Sequence, residues 1–97
     1  MEFSQKEIAA YKQRHGSVFR YTADDGKSCL LKAPTLQVID ACRALSGGSA
    51  IKFDAALVEN CWLAGDEEFK KDDAYRLGLF EWLGNIIKKV DGCLEEL

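Results

Sequence analysis

Ninety-seven residues, 47% of them hydrophobic and 30% charged, describe one globular domain rather than a disordered chain. The formal charge of −3 comes from acids and bases mixed along the chain, with no basic stripe of the kind that binds nucleic acid. No apolar run nears the ~18 residues of a membrane span, and the N-terminus carries no signal-peptide pattern. The expectation is therefore a soluble protein of a reducing, intracellular compartment. Its four cysteines, Cys29, Cys42, Cys61 and Cys93, form no Cys-x-x-Cys pair and each sits among apolar neighbours. Buried free thiols fit them better than metal ligands or disulfides.

The single domain divides into a peripheral N-terminal helix (1–16), a β-hairpin (17–33) and a helical body (35–97), an α+β, mainly α, fold. Ser4 and Glu7 make a capping box, Phe3 and Ile8 stand where a hydrophobic staple needs them, and Gly16 ends the first helix near His15. The apolar content of that helix is thin. Residues 17–23 and 28–33 read as two strands joined at Asp25-Gly26. A two-residue turn there sets Tyr21 opposite Leu30 and Arg20 opposite Leu31, with neither face purely apolar. Such a hairpin is marginal alone and has to lie on helices, on another copy or on a partner. Its outer edges remain open to strand addition.

Pro34 ends the second strand and Thr35 caps a helix over residues 36–45, whose Leu36, Val38, Ile39, Cys42 and Leu45 mark it as the most buried one. Ser46-Gly47-Gly48 is a flexible break, and Ser49 caps the next helix, to about Trp62. Ile51, Ala55, Val58 and Trp62 form one apolar stripe on it, and Phe53, Leu57 and Cys61 a second. Residues 63–71 read as a charged loop. Asp72 or Asp73 then caps the last helix, where an aspartate suits the positive end of the dipole.

That last segment sorts its residues by side. At about 100° per residue, Leu79, Phe80, Trp82, Leu83, Ile86 and Ile87, followed by Val90, Cys93, Leu94 and Leu97, fill one arc. Lys88, Lys89, Asp91, Glu95 and Glu96 lie opposite. The arc is roughly 160° wide, against the ~100° that a helix on a single core needs. Run as one rod from residue 73 to 97, the helix would be roughly 36 Å long. A domain of this size is only about 30–35 Å across. The expectation is a long C-terminal amphipathic helix that overhangs its own fold and presents apolar surface to a second body.

Reactive chemistry is hard to place. The one histidine, His15, ends the peripheral helix, where its positive form suits the dipole. The acidic pairs Asp24-Asp25, Glu67-Glu68 and Asp72-Asp73 stand at turns and helix starts, and adjacent helical side chains diverge. Asp66-Glu67-Glu68 is followed by Lys70 and Lys71 where a calcium loop needs an oxygen ligand and a glycine. Gly47-Gly48-Ser49 lacks the spacing and the lysine of a phosphate loop. No catalytic residue, metal ligand or cofactor site is expected.

The stretch Asn60-Cys61-Trp62-Leu63-Ala64-Gly65-Asp66-Glu67-Glu68-Phe69-Lys70-Lys71-Asp72-Asp73 resembles one found in small prophage proteins, which are themselves similar to the tail assembly chaperones of long-tailed phages. In that group a short hairpin precedes a Leu-Lys-Ala/Arg-Pro step, a helical body and a final helix. Residues 18–34 and 36–97 follow this order; the N-terminal helix has no counterpart in it. The resemblance implies a non-enzymatic virion assembly factor in the cytoplasm of a bacterial host, one that self-associates and coats the helical tape-measure protein until tail-tube subunits replace it. On that reading Leu79, Trp82, Ile86, Cys93 and Leu97 form the partner-binding flank, while Phe80, Leu83 and Ile87 face the core. Trp62 and Phe69 could serve either side, with the core favoured for Trp62. The alternative is a small acidic adaptor or antitoxin-like inhibitor that occupies a basic partner, supported by the net charge and the acidic loop.

Overall fold

The computed structural model describes residues 2–97. Helix α1 (Gln5–His15) is held by its own ends. The Ser4 hydroxyl accepts from the Glu7 amide at 3.0 Å, the Glu7 carboxylate accepts from the Ser4 amide, and Gly16 takes up a φ of 82°. None of its residues is fully buried. It lies on one face of the sheet, with Ile8 and Ala9 beside Val18 and Leu30.

Strands β1 (Val18–Thr22) and β2 (Ser28–Lys32) pair antiparallel one residue out of the expected register, with Tyr21 opposite Cys29 and Arg20 opposite Leu30. The cause is the turn. Ala23 donates its amide to the Lys27 carbonyl and its carbonyl accepts from Gly26. The loop is therefore the three residues Asp24, Asp25 and Gly26, closed by Gly26 at a φ of 94°. Opposed residues of an antiparallel pair share a face. The shift thus gathers Phe19, Tyr21, Cys29 and Leu31 on the core side and leaves Arg20, Ser28 and Leu30 on the α1 side. The core face is thereby apolar, while the α1 face is mixed, as expected.

Helix α2 (Leu36–Ser46), capped by Thr35, packs on α3 (Ala50–Cys61), capped by Ser49. Contrary to expectation, α2 is not the most buried helix. Only Cys42 and Ser46 are covered, and Leu36 and Leu45 are 83% and 75% exposed. It meets the rest of the fold chiefly through α3, so one narrow stripe suffices to seat it. In α3 the stripe of Phe53, Leu57 and Cys61 turns inward, whereas Ile51 of the other stripe stays in water.

The segment expected as a loop contains a third strand, β3 (Trp62–Gly65), and a one-turn helix, α4 (Glu68–Lys71). β3 pairs antiparallel with β2 through a bulge at Leu63, giving the order β1-β2-β3. The central strand is thereby paired along both edges, and four of its five residues are buried. Asp66 ties the junction: its amide donates to the Ser28 carbonyl and its carboxylate accepts from the Ser28 amide, each at 3.0 Å. Phe69, wholly buried, sits at the middle of the core. Tyr21 and Tyr75 meet its ring edge-on, with centroids 5.6 and 5.5 Å away. Full burial of a side chain of this size contributes about 1.5–3 kcal/mol.

The largest departure is at the C-terminus. Helix α5 (Asp73–Phe80), capped by Asp72, stops after eight residues. The chain tightens into a 3₁₀ turn, Leu83–Ile86, and residues 87–97 form no helix or strand. There is no 25-residue rod. Leu83 and Ile86 leave the helical path to fill the core, and Gly84 and Gly92 each cost a helix about 1 kcal/mol. A short helix with nothing to lie on is marginal in water. Gly78 has a separate reason: a Cβ there would stand 3.0 Å from the Tyr21 hydroxyl, so its absence lets α5 approach the sheet.

Gly65 is the tightest point of the fold. Its φ is 147°, and an added Cβ would fall 2.5 Å from both Cα and Cβ of Cys29 and 2.7 Å from the Ser28 carbonyl oxygen. Gly65→Ala must separate β3 from β2 and is expected to cost about 3 kcal/mol or more. Urea unfolding followed by circular dichroism measures this; Gly84→Ala, which meets nothing, is the control and should be neutral or stabilising.

Candidate functional site

The five residues expected to form the partner-binding flank are divided between two environments. Leu79 and Ile86 are 1% and 5% exposed and belong to the core, which corrects their assignment as contact residues. Helical spacing placed them on one flank with Trp82, but the break after Phe80 rotates that flank apart. Trp82 is 56% exposed, and Cys93 and Leu97 project into solvent. Of the residues expected to face inward, Leu83 is buried and Phe80 and Ile87 pack partly against the core. Trp62 also packs there, under the Lys70 ammonium 4.7 Å from its ring centroid.

Besides the single exposed residues Leu36, Leu45, Ile51 and Leu77, the apolar surface left uncovered comprises a tail and a ledge. The tail is residues 87–97, whose Val90, Leu94 and Leu97 are as exposed as in an extended peptide. Val90 and Leu94 belong to the apolar arc but not to the flank of Trp82, a distinction that holds only on an unbroken helix. The ledge is a shallow cavity of about 200 Å³ between Trp82, Ile86 and the core face of β1, walled by Phe19, Tyr21 and Leu31. It opens beside β1, an edge strand whose outward backbone groups pair with no other strand.

A second cavity, of about 330 Å³, lies where the hairpin tip meets α5, between Tyr21, Asp24, Asp25 and Tyr75. The Tyr75 hydroxyl donates to the Asp25 carboxylate, which also accepts from the Lys27 amide at 3.0 Å. Together these hold the Asp25 carboxyl below its ordinary range, the tyrosine bond foremost. The same bond, with the negative charges of Asp25, Asp72 and Glu68 around it, pushes Tyr75 up to about 12. The pair fastens the hairpin to α5. His15 stacks on Tyr11 with ring centroids 6.4 Å apart. Among the described residues, no three His, Cys, Asp or Glu side chains gather as a metal would need, and no helix is long and apolar enough to cross a membrane.

Cys29, Cys42 and Cys61 are buried free thiols, as expected, and Cys93 is the exception. Burial raises all three buried thiols, Cys29 to about 12 and Cys61 to about 11. No protein-family model, curated protein or solved structure matches the chain.

Two outcomes follow from this arrangement. In native protein a thiol reagent at pH 8 should label Cys93 alone, and unfolding should release the other three; labelling of a second thiol without denaturant would contradict the burial. The Tyr75–Asp25 bond should also shape the pH dependence of stability. A lowered Asp25 stabilises the fold above its unfolded pKa of about 4, and that share is lost as pH falls through the native value. A raised Tyr75 stabilises below about 10, and its share is lost as pH climbs through its native value. Tyr75→Phe should lower Tm at pH 7 and lose less than the parent on acidification from pH 6 to pH 3. An equal acid loss in both proteins would dismiss the bond.

Proposed function

We propose that this protein is a non-enzymatic assembly chaperone of the phage-tail kind, acting in the cytoplasm of a bacterial host, which holds a long helical protein through reversible apolar contacts and associates with itself. The single observation that carries the reading is the apolar tail: Val90, Leu94 and Leu97 stand bare beside a fold that had core positions for Leu83 and Ile86. An exposed run of this kind invites a partner. Residues 60–73 resemble a stretch of small prophage proteins that are themselves similar to tail assembly chaperones, and that resemblance points to the tape-measure protein as the partner class. A tail that is not helical on its own and becomes so as it grips an amphipathic client gives up affinity to do so, which suits a protein that must later be displaced. Trp82 and the ledge beside it extend the same surface toward the sheet.

The test is co-expression with a tape-measure protein encoded next to this gene. The client should remain soluble and co-elute with the chain. Leu94→Glu with Leu97→Glu should abolish co-elution while leaving thermal stability unchanged, because both side chains are already in water. Failure of the wild-type chain to retain the client would overturn the proposal. Capture that vanishes with added salt but survives the double substitution would favour the acidic-adaptor alternative.

A further inference from the structure

We propose that the cavity where the end of α1 meets the junction of β2 and α2 binds a dianionic phosphoryl group, held by Arg14, His15 and Lys32. The inference is independent of the chaperone reading, since none of these residues belongs to the tail or the ledge.

The cavity has a volume of about 240 Å³. Arg14 and His15 reach it from the last turn of α1, Lys32 from the end of β2 and Thr35 from the cap of α2. Backbone pairing brings these together. The Ala33 amide donates to the Ser17 carbonyl at 3.1 Å, so the chain leaving β2 runs beside the chain that has just left α1. In a protein of net charge −3, three basic side chains border this one cavity and no Asp or Glu lines it. Among the described residues, none of the three makes an ion pair.

An ordinary structural role covers part of this. Arg14 and His15 stand in the last turn of α1, where cations suit the negative end of the helix dipole. That account does not extend to Lys32, half-buried at the end of a strand. Burial pushes the Cys61 thiol up, and the Lys32 charge, close enough to be felt there, opposes it from the same cavity wall. The two helix ends that border the cavity, negative for α1 and positive for α2, offset one another. The side chains therefore decide the sign of the potential.

Their chemistry selects the ligand. Arg14 and Lys32 bring two positive charges, which a dianion matches and a carboxylate matches only by half. Arg14 offers a planar fork of donors, Lys32 an ammonium and His15 a ring N–H. The Thr35 hydroxyl accepts from the Val38 amide at 3.2 Å and keeps its own proton to give. A phosphoryl group has three acceptor oxygens to share among these donors, and a carboxylate has two. Ala33, Pro34 and Val38 form an apolar wall beside them, suited to the carbon of a monoester. Nucleic acid fits less well, because its phosphates recur along a backbone and this is a single cavity.

The test follows the backbone amides of the full, reduced chain by nuclear magnetic resonance at about pH 8 and constant low ionic strength. Inorganic phosphate, N-acetylphosphoserine amide or acetate is added to about 20 mM. The first two should shift the amides of Arg14, His15, Lys32 and Ala33 to saturation, and acetate should bind at least about tenfold more weakly. Arg14→Gln and Lys32→Gln should each raise Kd about tenfold. Lys6→Gln, which removes the same charge at the other end of α1, should leave Kd within about twofold. Tighter binding of the phosphoserine amide would identify a monoester as the ligand, and tighter binding of inorganic phosphate the free ion; both outcomes support the site. Shifts that do not saturate, acetate binding as tightly as phosphate, or equal weakening by all three substitutions would overturn it.

Discussion

The fold depends on closing β2 in from every side. A strand of Ser-Cys-Leu-Leu-Lys in the middle of three has hydrogen-bond partners on both edges, so its faces alone decide whether it is stable. The helical core covers Cys29 and Leu31, and α1 lies over the face that carries Leu30. The two neighbouring strands are placed by unlike means. A glycine-closed loop of three residues sets β1 in register. The close approach of Gly65 to Cys29, with Asp66 bonded to both backbone groups of Ser28, holds β3. Phe69 follows from that junction, since α4 begins two residues after Asp66 and delivers the ring into the space between Tyr21 and Tyr75.

The parts of this fold legible in the sequence are those fixed by local chemistry. Ser4 with Glu7, Thr35, Ser49 and Asp72 each bond the helix start they precede, and Gly16 ends α1. Both strands of the hairpin lie where the residue pattern put them. What local chemistry did not reveal was set by distant contacts. β3 is four residues with no alternation of its own, made a strand by β2. The hairpin register turned on one residue of loop length. The reading of a C-terminal rod failed because periodicity records which residues share a side without recording whether a surface is there to receive them. Leu83 and Ile86 found the core by leaving the helix, and the residues beyond found nothing. For the candidate site, the same pattern identified Trp82, Cys93 and Leu97 as outward-facing and wrongly joined Leu79 and Ile86 to them.

A segment whose apolar side chains stand in water and that forms no helix or strand suits the role proposed for it. That role asks nothing of the Tyr75–Asp25 cavity, whose two groups are engaged with one another in fastening the hairpin to α5.

Helix α1 has one consequence of another kind. It is secured by its own two ends and buries no residue of its own, yet it shelters Leu30, from which water is wholly excluded. Such an element is among the first to fray on warming. When it lifts, the sheet meets water with its second face and Leu30 loses its cover. The eleven residues of α1 thus act as a lid over Leu30 without adding a buried side chain of their own.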